Sequence, residues 1–157
     1  MIINQLIDED FVNYKLPSMY IGFPRCSFKC EKECGLQVCQ NGVLAKSPKL
    51  NIDIDKVIER YLSNFITSAI VIAGLEPFDS YNELLEFISK LRKCTDDDVI
   101  IYTGYYKNEI INYINELSQY KNIVIKFGRF IPNQKSHYDD ILGVKLVSDN
   151  QYAERIS

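Results

Sequence analysis

The sequence lacks several features that mark broad functional classes. No apolar run approaches the roughly 20 residues that a membrane-spanning helix needs, and the N-terminus is acidic, unlike the basic and then apolar start of a signal peptide. The net charge of −3, with a pI near 5.2, offers no attraction to phosphate backbones. We therefore expect a cytoplasmic protein that binds neither a membrane nor a nucleic acid.

The chain also lacks internal repeats, low-complexity tracts and linkers, and it has no C-x-x-C pair of the thioredoxin type. Its 157 residues suit one domain with a single core. With 46% apolar and 25% charged residues, its composition is that of an ordinary globular protein. The single histidine, His137, lies in a polar segment and is predicted to be solvated. We predict one domain over residues 1–157, with an N-terminal lead-in at 1–17.

Short apolar runs alternate with amphipathic segments, which predicts an α/β fold. The predicted strands are Met19–Phe23, Ala69–Ala73, Val99–Thr103, Ile123–Phe127 and Val144–Val147. Apolar residues at helical spacing predict three helices, which begin after Asp53, after Ser80 and near Lys107. At the second helix Ser80 and Glu83 would form a capping box. Short strand–helix–strand connections favour parallel strands with right-handed crossovers. The predicted fold is a mostly parallel sheet, open or partly curled, of about five strands with flanking helices.

In this topology the carboxyl ends of the strands share one edge, where open α/β proteins bind their ligands. After the first predicted strand the chain enters a cysteine-rich segment, and after the next three strands it turns at Gly74, Gly104 and Gly128. Glycine lets the backbone approach a ligand closely because it has no Cβ. The shared edge therefore indicates one common site.

Four of the five cysteines lie within the segment at 24–42, which we call the cysteine loop. They are Cys26, Cys30, Cys34 and Cys39. In a reducing cytosol such a cluster is expected to bind metal rather than to form disulfides. Two close pairs would suit a structural zinc ion or an electron-transfer iron–sulfur cluster, whereas a 4Fe-4S cluster held by three cysteines would leave one iron open. The cysteines alone do not separate zinc from iron–sulfur.

Several short motifs follow one another in an order that resembles a known family. They are Cys26-x3-Cys30, Cys39-Gln-Asn41, Ala73-Gly-Leu-Glu-Pro77, Tyr102-Thr-Gly-Tyr105 and Ser148-Asp-Asn-Gln151. Together they resemble the activating proteins of anaerobic ribonucleoside-triphosphate reductases, which are small radical S-adenosylmethionine (SAM) enzymes. The resemblance runs from about Tyr20 to Gln151. Each motif is weak alone, whereas the ordered set is fairly specific.

The family's cluster motif, C-x3-C-x2-C, is matched only in part. Cys26 and Cys30 fit its first two positions, and the third is either Cys34 or, after an insertion, Cys39. The flanking residues favour Cys39, because an apolar residue precedes it and a Gln-Asn pair follows it. The resemblance implies a 4Fe-4S cluster with three cysteine ligands and one open iron. The remaining cysteine would be a bystander or an extra local ligand.

The family's second motif, Gly-Gly-Glu-Pro, binds the methionyl amino group of SAM through its backbone. Here Gly74 and Glu76-Pro77 match, and Leu75 replaces the second glycine, a change that a backbone contact tolerates while φ stays negative. The residues that the resemblance assigns to SAM binding are Val38, Gln40, Ala73, Gly74, Leu75, Glu76, Thr103 and Gly104. Within this set Val38, together with Phe28, would pack near the adenine.

The resemblance implies that an electron from the reduced cluster cleaves SAM to methionine and a 5′-deoxyadenosyl radical. The expected partner is an anaerobic ribonucleotide reductase or another glycyl radical protein, and a flavodoxin or ferredoxin would supply the electron. Two alternatives stay open. One is a radical SAM enzyme that acts on another protein, peptide or small molecule, and the other is a non-catalytic α/β binding module in which all four clustered cysteines hold zinc.

Overall fold

Ten strands and four α-helices alternate along most of the chain in a computed structural model that describes residues Met1–Ser157. The strands are β1 (Ile2–Ile3), β2 (Gln5–Asp10), β3 (Ser18–Phe23), β4 (Leu50–Asn51), β5 (Ala69–Gly74), β6 (Asp98–Tyr102), β7 (Ile123–Phe127), β8 (His137–Asp139), β9 (Val144–Leu146) and β10 (Tyr152–Arg155). The α-helices are α1 (Lys29–Cys34), α2 (Ile54–Leu62), α3 (Tyr81–Leu91) and α4 (Ile111–Leu117). Three 3-10 turns complete the regular structure, at Gly42–Lys46, Pro77–Ser80 and Lys107–Ile110.

Six strands form the central sheet, in the order β10-β7-β6-β5-β3-β2. The four inner strands run parallel to one another, and the two edge strands, β2 and β10, are antiparallel to their neighbours. The remaining strands form two short antiparallel pairs, β1 with β4 and β8 with β9. The predicted α/β fold with a mostly parallel sheet is confirmed.

The outer strands differ from the prediction. The segment Val144–Val147, predicted as a strand of the sheet, contributes β9 to a separate hairpin with β8. A turn closes this hairpin, because the Asp139 carboxylate accepts a hydrogen bond from Leu142 N at 2.9 Å and brings the chain back on itself. His137, predicted to be solvated, is partly buried in β8.

The helices cover only one face of the sheet. Side chains from α2, α3 and α4 pack with alternate residues of the parallel strands in an apolar cluster of 23 buried residues. We call this the helix-covered face. The opposite, open face carries a smaller cluster of 10 buried residues, to which Leu142 and Leu146 of the β8–β9 region contribute. The sheet is therefore buried unequally on its two sides.

Of the two helix N-terminal caps expected from the sequence, the structure contains one. Asp53 caps α2 as expected, because its side chain accepts from Asp55 N at 2.9 Å. The predicted capping box of Ser80 and Glu83 is wrong, since the Ser80 hydroxyl has no partner and Glu83 accepts instead from Ile2 N. A 3-10 turn precedes α3, and this displaces Ser80 from the capping geometry. No helix of the protein has the length and apolar character needed to cross a membrane.

Candidate functional site

A cavity of about 530 Å³ lies at the carboxyl ends of the parallel strands. Its wall includes the glycines at the carboxyl ends of β5, β6 and β7, namely Gly74, Gly104 and Gly128, so the structure brings the predicted strand-end turns together. The cavity then extends across the open face, where it meets residues of β2 and β9. A volume of this size falls within the roughly 300–1,000 Å³ typical of small-molecule sites.

Most of the residues predicted for the site line this one cavity. They are Cys26, Cys30, Cys39, Gln40, Ala73, Gly74, Leu75, Glu76, Thr103 and Gly104. Val38 and Cys34 do not line it. Which of these residues contact a bound cofactor stays a prediction, but their grouping is a property of the fold.

The four clustered cysteines have two kinds of surroundings. Cys26, Cys30 and Cys39 are partly buried, whereas Cys34 is exposed and its Sγ lies 3.0 Å from the backbone oxygen of Cys30. Burial raises the pKa of the Cys26 thiol to about 12, and the neighbouring Cys30 adds to that rise. The pKa of Cys30 is raised by burial and then by the nearby Cys39. Three thiols are thus electrostatic neighbours beside the cavity, and Cys34 lies outside the group.

In this structure no group of three or more His, Cys, Asp or Glu side chains is arranged closely enough to hold a metal ion. The three cavity thiols would have to move closer to share a metal centre. The segment that carries Cys30, α1, is six residues long and contains no buried residue. A helix so short and so little packed can shift at small cost in free energy.

The chemistry of the donors separates the candidate metals. Thiolates are the usual ligands of iron–sulfur clusters, and a backbone N–H, that of Phe28, already donates to Cys26 Sγ at 3.2 Å. A closed zinc site takes four ligands, whereas only three thiols border the cavity. The residues present therefore fit a cluster with three protein ligands better than a closed zinc ion.

Glu76 connects the loops around the cavity. Its side chain is almost fully buried and accepts hydrogen bonds from Phe78 N at 3.2 Å, Thr103 Oγ1 at 2.8 Å and Gly104 N at 2.8 Å. Burial raises its pKa to about 7, against the lowering effect of those hydrogen bonds. The carboxylate therefore fixes the loop after β5 to the loop after β6.

Backbone hydrogen bonds tie the same segment to the cysteine loop. Leu75 N donates to Phe23 O at 3.0 Å, and Glu76 N donates to Arg25 O at 2.8 Å. At the far end of the loop, Asn41 Nδ2 donates to Gly74 O at 2.7 Å. The Gly-Leu-Glu segment therefore holds both ends of the loop that carries the cysteines.

Gly74 is required where it stands. Its φ is +88°, and a Cβ at this position would lie 2.7 Å from Phe23 N and 2.8 Å from Gly22 Cα. Leu75, which replaces the second glycine of the family motif, is not among the residues with positive φ. The condition for tolerating leucine at this position is therefore met.

Two buried cations at the cavity were missed by sequence reasoning. Arg129 pairs through Nη2 with Glu109 Oε1 at 2.6 Å, and its Nε lies 3.3 Å from a carboxylate oxygen of Glu33 on α1. Arg129 therefore links α1 to the loop after β7. Lys126 on β7 is also buried. A signal for Lys126 was present in the sequence, because a lysine inside the apolar run Ile-Val-Ile-Lys-Phe is unusual for a strand buried on both faces. The only signal for Arg129 was its position after the strand-end Gly128, where an arginine can meet a carboxylate.

A family model described as "4Fe-4S single cluster domain" matches residues 19–151 of the chain. The match spans the cysteine loop and every other segment that lines the strand-end side of the cavity. Neither a curated protein nor a solved structure matches the chain. The assignment to an iron–sulfur family agrees with the three-thiol donor set.

Proposed function

Because the chain belongs to the 4Fe-4S single cluster domain family, we propose that Cys26, Cys30 and Cys39 hold a 4Fe-4S cluster whose open iron binds SAM. One observation carries the ligand set. Three partly buried thiols border the cavity at the strand ends, whereas the thiol of Cys34 lies outside it. A cluster with three protein ligands keeps one iron free for a small molecule.

A cluster held by Cys26, Cys30 and Cys39 would supply, when reduced, the one electron needed to break the S–C5′ bond of SAM into methionine and a 5′-deoxyadenosyl radical. A flavodoxin- or ferredoxin-type protein is the proposed source of that electron. The protein itself binds and orients SAM and the cluster. Glu76 fixes two cavity loops, and the Gly-Leu-Glu segment anchors the cysteine loop. These contacts hold the loops around the cavity in place before the ligand arrives, and only the thiols between the anchored ends of the cysteine loop have to move closer.

The proposed target of the radical is a glycine Cα on a partner protein, either an anaerobic ribonucleotide reductase or another glycyl radical protein. Abstraction of its hydrogen atom would give 5′-deoxyadenosine and a glycyl radical. The cysteine loop and the 3-10 turn that follows it support a macromolecular partner, because they expose the apolar side chains of Leu36, at 63%, and Val43, at 80%. A partner that covers this loop would also exclude water from the cavity.

Electron paramagnetic resonance (EPR) of the anaerobically reconstituted, dithionite-reduced protein tests the proposal. We expect a cluster signal that changes when SAM is added, together with the release of 5′-deoxyadenosine. Mixing with a candidate reductase should then give the doublet of a glycyl radical. A colourless protein that carries one tightly bound zinc ion would contradict the proposed enzymatic function. A cluster that cleaves SAM but activates no glycyl radical protein would point to a different substrate.

A further inference from the structure

Lys126 lies inside the cavity on the open face of the sheet. Along β7 the side chains alternate, and Ile123, Ile125 and Phe127 belong to the cluster on the helix-covered face while Val124 belongs to the cluster on the open face. Lys126 therefore follows Val124 onto the open face, where it lines the cavity at 7% exposure. A lysine is rarely buried this deeply without a partner of opposite charge.

The ammonium of Lys126 has only one hydrogen-bond partner, Gly128 O at 2.9 Å. An ammonium has three donors, so two of them have no protein acceptor. The acid that acts on it most strongly is Glu76, whose two carboxylate oxygens already accept from Thr103 and Gly104. Burial lowers the pKa of Lys126 to about 8, which leaves the side chain mainly charged at neutral pH.

The surroundings hold this ammonium in one position. Gly128 O accepts from Gln151 Nε2 at 3.2 Å as well as from Lys126, so the turn that orients the lysine is itself fixed. The buried Arg129 lines the same cavity, and its Nη1 has no partner. The cavity therefore carries two buried cationic groups with free donors, of which only Arg129 has carboxylate partners. Burial of the Lys126 charge without compensation costs free energy that a bound anion would recover.

We infer that Lys126 is the binding group for a carboxylate or phosphate on a ligand that enters this cavity. Two sources can supply that anion. One is the methionine carboxylate of SAM, and this source rests on the proposed function. The other is an anionic group on a second small ligand, and this source does not depend on SAM. The two differ in which ligand loses affinity when the charge of Lys126 is removed.

The test uses the full-length, reconstituted protein and three ligands: SAM, decarboxylated SAM and inorganic phosphate. Their affinities are measured by calorimetry for the wild type, Lys126→Met, Lys126→Arg and Lys145→Met. Methionine keeps the length of the side chain without its charge, and arginine keeps the charge. Lys145 is an exposed lysine that lines the same cavity and is the matched control. Thermal unfolding checks that each variant folds, and Lys126→Met should be at least as stable as the wild type.

If the anion is the carboxylate of SAM, Lys126→Met weakens SAM binding roughly 10- to 100-fold and leaves decarboxylated SAM unaffected. If it belongs to a second ligand, Lys126→Met abolishes phosphate binding and SAM affinity is unchanged. Lys126→Arg should keep most of the affinity in either case. Equal affinities of Lys126→Met and Lys145→Met for all three ligands, or equal losses in Lys126→Met and Lys126→Arg, would overturn the inference. A wild type that binds phosphate through Lys126 but not SAM would contradict the proposed function alone.

Discussion

The two faces of the central sheet are made from the same strands but differ in what they bury. On the helix-covered face, 23 buried apolar residues pack together. On the open face, the apolar cluster is less than half that size and gives way to a cavity that contains Lys126 and reaches the three thiols. Apolar burial stabilises the fold, so we attribute stability mainly to the first face and ligand binding to the second.

Removal of a large side chain from the helix-covered face should have the largest effect on stability. Phe87 on α3 is fully buried, so Phe87→Ala should lower the free energy of unfolding by about 3–5 kcal/mol. Urea unfolding measures the loss, with the exposed Tyr138→Ala, at 63% exposure, as the control. The fraction that remains folded should still bind a full cluster. A loss of cluster in that folded fraction would mean that the two faces do not divide their roles in this way.

A change at Gly74 tests the rigid edge of the open face. Gly74→Ala places a Cβ 2.7 Å from Phe23 N in a positive-φ conformation, and we expect a loss of about 2–3 kcal/mol in unfolding free energy. The control is Gly35→Ala, where φ is also positive, at +67°, but no atom lies within 4 Å of the added Cβ. This control should lose only about 1 kcal/mol. Equal losses of unfolding free energy in the two variants would show that the close approach of the Gly74 backbone to Phe23 does not contribute.

Glu76 provides a test that depends on pH. Glu76→Gln replaces one acceptor oxygen with a donor that faces Gly104 N, so we expect a loss of about 1–3 kcal/mol. In the wild type the pKa of Glu76 is about 7 in the folded state, above its ordinary value of 4.5. Between pH 4.5 and pH 7 the folded state therefore keeps a proton that the unfolded state has released. The stability from that proton is complete below pH 4.5 and is lost as the pH rises through 7.

The penalty of Glu76→Gln should therefore be larger at pH 5 than at pH 7.5, by on the order of 2 kcal/mol. Urea unfolding of both proteins at the two pH values measures the difference. Thr103→Val, which removes one donor to Glu76 and keeps the carboxylate, is the control that retains the pH dependence. A penalty that does not change with pH would contradict the raised pKa.

The smallest expected effect concerns the link between α1 and the rest of the fold. A hydrogen bond from Arg129 is the main cause that lowers the pKa of Glu109 to about 2, and Lys29 also contributes. Because the folded pKa lies below the ordinary 4.5, this stability is present above pH 4.5 and is lost as the pH falls through about 2. Glu109→Gln should lose about 1 kcal/mol at pH 7 and less at pH 2.5. Equal losses at the two pH values would mean that the ion pairs do not contribute.

Sequence patterns predict the two faces unequally, for physical reasons. Strands β3, β5, β6 and β7 were predictable because a parallel strand buried on both sides reads as a continuous apolar run. The edge strand β2 reads Gln-Leu-Ile-Asp-Glu-Asp, which carries no such signal. The local capping motif at Ser80 fails because the preceding turn, stabilised by Glu76, depends on contacts with residues far along the chain.

The candidate site was predictable where its residues belong to motifs that follow a strand. The cysteine loop and the Gly-Leu-Glu-Pro segment meet at the sheet edge because parallel strands align their carboxyl ends. The different surroundings of Cys34 and Cys39 depend on how α1 packs, and cysteine spacing does not report that. The partners of Lys126 and Arg129 likewise exist only after folding.

Three of the four clustered cysteines, rather than all four, are proposed to hold the cluster. Iron content and visible absorbance after anaerobic reconstitution test it directly in Cys39→Ala and Cys34→Ala, with the wild type as reference. We expect four irons per chain in Cys34→Ala, as in the wild type, and loss of the cluster in Cys39→Ala. An intact cluster in Cys39→Ala, or a metal centre that needs both Cys34 and Cys39, would contradict it.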